Sequence, residues 1–162
     1  MSHRYANYTP ADFDNFDCVK ISKGIYLLLI FVLRGYFVWL MSVTNMKDRV
    51  SIIQWVYPDP TLFYLSLISG AVGLYVVAVL SLRRPDARTW VRRSWQKLRV
   101  ILLAALAFDF VVNLLGFIYL SQVALWWVVV NAIIGLLFCL FLFYSKRVKL
   151  NIEEFPQQLP EK

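Results

Sequence analysis

A single histidine and two cysteines are all that 162 residues offer of the side chains most used to bind metals. His3 alone cannot supply paired haem ligation or a histidine-rich metal site. No cysteine cluster, HExxH run or glycine-rich phosphate loop is present. A serine-protease triad is unavailable inside a membrane. The chain is therefore expected to be noncatalytic and free of cofactor and metal, with an intramembrane enzyme built on a carboxylate or serine as the remaining enzymatic alternative. Cys18 falls in a polar amino-terminal stretch and Cys139 inside an apolar run, so both are expected as free thiols.

Charge is also scarce. Charged residues make up 17% of the chain and hydrophobic ones 60%, far from the roughly 25% charged of a soluble domain. The polar residues fall in blocks, leaving apolar runs at Ile25 to Val43, Leu62 to Leu80, Val100 to Leu120 and Ala124 to Tyr144. At a rise of about 1.5 Å per residue each can cross roughly 30 Å of hydrocarbon. The expected fold is an all-α polytopic membrane protein: a transmembrane domain 24–145 with four helices at about 24–43, 61–82, 99–120 and 123–144. A polar segment 1–23 precedes it and a tail 146–162 follows. The first apolar run is longer than a signal-peptide core and is expected to be retained, with cleavage near Met41 or Ser42 as the alternative.

Basic residues set the orientation. Arg4, Lys20 and Lys23 precede the first run, and Lys146, Arg147 and Lys149 follow the fourth. Between the second and third lie Arg83, Arg84, Arg88, Arg92, Arg93, Lys97 and Arg99, whereas the first connection has only Lys47 and Arg49. The excess of positive charge on the inner side places both termini and the 83–98 connection in the cytoplasm. Trp55, Tyr57, Trp90, Trp95, Trp126 and Trp127 stand where aromatic belts are expected.

The connections differ in character. In Ser42 to Pro60 a polar part precedes Val50 to Tyr57, which is apolar enough to lie on the membrane surface or to form a re-entrant turn before Pro58 and Pro60 start the next helix. Little more than Ser121 and Gln122 joins the third and fourth runs, predicting a tight antiparallel hairpin. In SLRRPDARTWVRRSWQKLR, Pro85 and Asp86 suit a helix start, after which Val91, Ser94, Trp95 and Leu98 recur at helical spacing. Arg83, Arg84, Arg88, Trp90, Arg92, Arg93, Trp95 and Lys97 are the candidates to meet anionic phospholipid headgroups or a cytoplasmic partner. A plain topology determinant is the alternative, and no nucleic acid partner is expected. The end of the chain, NIEEFPQQLPEK, is expected to be loosely ordered.

Two charges interrupt the spans. Arg34, in FVLRGYFVWL, lies about 15 Å from the cytoplasmic end of the first, and Asp109 roughly 13–14 Å along the third from the same side. An isolated charge at that depth is expensive, so a bidentate Arg34–Asp109 ion pair is expected, with helices one and three adjacent. Asn113 and Asn131 fall at matching depth and extend a polar seam. The seam serves either as a structural lock or as an ion, proton or substrate path. The lock is preferred because the groups are few and the spans show no inverted repeat or break. Ser66, Ser69, Gly70, Gly73, Gly116 and Gly135 give smooth helix faces for packing within the chain or against another copy.

The RRPD turn, the tryptophan-bearing basic connection and YPDPTLFYLSLISG resemble the YfeZ-like small inner-membrane proteins of Gram-negative bacteria, over about Lys23 to Lys146. That resemblance implies a multi-span helical fold in the bacterial inner membrane and no activity. The expected role is association, as a homo-oligomer or as an accessory subunit of a larger membrane complex, with a small channel or transporter as the alternative.

Overall fold

The computed structural model describes residues 8–14, 16–45, 48–57, 59–120 and 125–157. His3, Arg4, Lys47, Pro58, Ser121 and Gln122 lie outside them, so the expected hairpin turn does too. Eight α-helices carry the described chain: α1 (Lys23–Val32), α2 (Arg34–Thr44), α3 (Arg49–Val56), α4 (Pro60–Ser81), α5 (Thr89–Gln96), α6 (Leu98–Leu120), α7 (Leu125–Tyr144) and α8 (Lys146–Glu153). Local chemistry starts several of them. Pro60 opens α4 behind Asp59, whose carboxylate accepts from the Thr61 amide at 2.6 Å. Asp48 does the same for α3 through the Val50 and Ser51 amides.

The helices α4, α6 and α7 are each long and apolar enough to cross a membrane; α1 and α2 make a fourth candidate only if taken together. The expected continuous first span is bent by 62° at Leu33, which leaves the helical region at φ −84°, ψ 5°. Sharp bends need a cause, and proline is absent here. The Arg34 side chain turns back to donate from Nη1 to the Phe31 carbonyl at 3.1 Å, so a side chain has entered the backbone ladder at the bend.

The helix α4 is the hub, touching α1, α2, α5 and α6. Its smooth face explains how two helices reach it. A Cβ on Gly73 would meet the Leu33 side chain, one on Gly70 the Tyr36 ring and the Val32 carbonyl, and one on Gly35 would lie 2.5 Å from Ser66 Oγ and 3.3 Å from the Ser66 carbonyl carbon. The bent pair thus runs along α4 in the opposite direction, from Gly73 to Ser66. Gly135 has open space instead, with nothing within 4 Å of an added Cβ. Changing Gly35 to alanine is therefore expected to cost about 1–3 kcal/mol by forcing α2 off α4. Gly135→Ala is expected to be neutral or to gain about 0.5–1 kcal/mol of helix propensity. Thermal unfolding of both variants in one detergent compares them directly.

Two further expectations change. The helix in the basic connection begins at Thr89, with residues 83–88 forming turns, so Pro85 and Asp86 precede the helix instead of opening it. The segment after the fourth span is not loose up to Glu153: it forms α8, because Val148, Leu150 and Asn151 are buried against the rest of the chain.

Candidate functional site

Arg34 and Asp109 meet. The α2 backbone starts at Arg34 and aims its side chain at α6, where Asp109 is 5% exposed. Arg34 Nη2 donates to both carboxylate oxygens, each at 3.0 Å. The geometry differs from the expected two-nitrogen fork, since Nη1 is held by the Phe31 carbonyl and one nitrogen bridges both oxygens. The guanidinium also lies 4.6 Å from the centre of the Phe31 ring. One side chain therefore joins the bend in the first span to the third span.

Asn113, one turn along α6, donates from Nδ2 to the Asp109 carbonyl at 2.7 Å and to its Oδ2 at 3.3 Å. The fully buried Ser69 hydroxyl of α4 acts on the same carboxylate, yet it stands outside normal hydrogen-bond geometry and has no partner there. A carboxylate offers about four acceptor positions, and Arg34 and Asn113 occupy three, leaving the side toward Ser69. Asn131 is not part of this group. It is buried on α7, but its Nδ2 turns back to its own helix at the Trp127 carbonyl, 2.9 Å away. Equal depth did not translate into equal facing.

At the end of the bundle where α4 stops, a second polar assembly closes the structure. Trp95 is fully buried and donates from Nε1 to the carbonyls of Asn151 (2.9 Å) and Glu154 (3.1 Å). Asn151, also fully buried, accepts from the Ser22 amide at 2.9 Å and donates to the Val19 and Lys20 carbonyls. The Glu154 carboxylate accepts from the Val19 amide at 2.8 Å. The Arg83 guanidinium lies 4.6 Å from the centre of the Trp95 ring and pairs with Asp14 at 3.5 Å. The Asp14 carboxylate in turn shapes the local turn by accepting from the Phe16 and Cys18 amides. Arg147 bridges to Asp12 at 3.2 Å. Hydrogen bonds from the Thr9 backbone and side chain, and then Arg147, hold the Asp12 carboxyl below the usual carboxylate range. Burial pushes the Cys18 thiol up, and both cysteines are free.

These contacts divide the residues expected to face lipid or a partner. Arg83 and Trp95 are removed from that surface: an indole buried at 0% exposure with both hydrogen bonds inside the chain is an internal anchor. Arg92 donates to the Pro85 carbonyl at 2.7 Å and lies over the Phe155 ring. Arg84, Arg88, Trp90, Arg93 and Lys97 stay exposed. The sequence reading missed Ser69, Asp14, Asn151 and Glu154. Val148, Asn151 and Ile152, three and four residues apart, carried a signal of one buried helix face.

The model of the family described as protein of unknown function (DUF2919) matches residues 8–154, and the chain belongs to that family. Its apolar helices are those of a membrane protein. The match takes in the amino-terminal segment and α8 as well as the spans, so the polar end assembly lies within the family's unit. No curated protein and no solved structure matches.

Proposed function

We propose that this is a noncatalytic integral membrane protein of the bacterial inner membrane that works by association, either with further copies of itself or as an accessory subunit of a larger complex. The observation that carries the reading is how the chain distributes its polarity. Arg34, Asp109 and Asn113 satisfy one another inside, while only 17% of the most apolar stretch of α7 is buried within the chain, against 44% for α4. A charge pair closed on itself is suited to holding helices together, and the open α7 side is available to a neighbour in the membrane.

In this reading the chain crosses four times with both termini in the cytoplasm. Support comes from the bent α1–α2 pair, which follows α4 away from the end where Ser22 meets Asn151, and from the arginines gathered at that same end. The likeness to the YfeZ-like proteins supports the inner membrane. Extraction in a gentle detergent followed by mass measurement of the intact assembly tests the proposal. A discrete multiple of the chain mass, or a fixed added partner, is expected; a lone chain carrying nothing but lipid contradicts it.

One observation favours transport as a second reading. A span broken beside an intramembrane charge pair is a feature of transporter cores. Under that reading, flux in proteoliposomes is abolished by an Asp109→Asn change that leaves the protein folded.

A further inference from the structure

The basic connection is not a uniform band of charge. Arg83 and Arg92 are engaged inside the chain, whereas Arg84 and Arg88 make no hydrogen bond, ion pair or ring contact to a described residue. These two line one side of a cleft of about 510 Å³ between the end of α4 and the start of α5, with Asp86, Leu82, Trp90 and Val91 among the other walls. That size falls within the roughly 300–1,000 Å³ of small-molecule sites.

The cleft sits at the membrane surface. Leu82 ends the spanning helix α4 and remains exposed. Trp90 stacks against Tyr75, their ring centres 6.3 Å apart, and the Tyr75 hydroxyl bonds the Ser94 hydroxyl. Tyr75 lies six residues before Ser81, the last residue of α4, and so about 9 Å inside the helix end. The contact folds α5 back along α4 and brings the indole to headgroup level, where tryptophan is favoured.

We propose that this cleft binds the phosphodiester of an anionic glycerophospholipid, with Arg84 and Arg88 on the phosphate and Leu82 and Trp90 against the acyl-chain side. Two arginines and one aspartate leave a formal charge of +1 at the cleft, which matches a singly charged diester. Guanidinium suits this task because it forks onto two phosphate oxygens. The remaining arginines of the connection either hold the fold or stand outside the cleft.

The test uses the full-length protein in phosphatidylcholine nanodiscs, titrated with phosphatidylglycerol and read as lipid retained by intact mass, whatever the copy number. Arg84→Gln with Arg88→Gln is expected to weaken retention at least about tenfold. Arg93→Gln with Lys97→Gln removes the same charge outside the cleft and is expected to change it less than about twofold. Equal weakening in both pairs would show diffuse attraction and overturn the site, as would no change in the first pair. Displacement of the lipid by millimolar glycerol 3-phosphate would assign the cleft to a soluble phosphate and overturn the lipid assignment.

Discussion

Replacing Asp109 by leucine with Arg34 left in place is expected to lower stability by about 3–5 kcal/mol, the cost of stranding a buried charge. The stranded group is the guanidinium, whose Nη2 has no other acceptor among the described residues once both carboxylate oxygens are gone. Removing both charges, Arg34→Met with Asp109→Leu, is expected to recover much of that loss, because paired buried ions replaced by apolar groups are often close to neutral. Recovery is incomplete because the Phe31 carbonyl loses the donor that holds it at the bend. Reversible unfolding in mixed micelles measures all three proteins. The doubly apolar variant also separates lock from path: under the association reading it assembles normally, and under the transport reading it assembles but carries no flux.

The second large effect belongs to the other end of the molecule. Trp95→Ala empties a fully buried site and leaves the Asn151 and Glu154 carbonyls without the indole donor. A loss of about 3–5 kcal/mol is expected, and it is local. Helix α8 and the 16–22 segment meet through Asn151, Glu154 and Arg147. Freed from Trp95, both should gain hydrogen exchange and protease cleavage, while α4 and α6 keep their protection. Uniform loss of protection along the chain would show instead that this polar end is not a separable unit.

How legible the molecule was in its sequence follows from which signals act along one helix and which need a partner. The apolar runs that became α4, α6 and α7 could be read from length, since the hydrocarbon sets it. Arg34 and Asp109 could be matched because depth accumulates at a fixed rise per residue. The same counting misled for Asn131, as depth says nothing of rotation about the helix axis, and its amide found its own Trp127 carbonyl. The bend at Leu33 carried no proline to announce it. It depends on the bond from Arg34 back to Phe31, which forms together with the contact to Asp109.

Trp95 shows a different limit. Its spacing with Val91 and Leu98 marked one apolar helix face, and the surrounding arginines made lipid the natural partner for it. The face is buried in the chain, against α8, which the basic residues Lys146, Arg147 and Lys149 had disguised as a charged tail. Alternation of charge with apolar positions identifies an amphipathic helix without saying whether membrane or protein covers it. Arg84 and Arg88, lacking partners among the described residues, keep the part of the original lipid expectation that the fold leaves available.

The account rests on one contact, and a charge exchange tests it most directly. In Arg34→Asp with Asp109→Arg, stability in mixed micelles is expected to recover more than half of what the poorer single variant loses, a coupling that a double-mutant cycle reads as strongly non-additive. Losses that simply add, or single variants that remain fully folded and assembled, would contradict the claim that this pair holds the bent first span to the third.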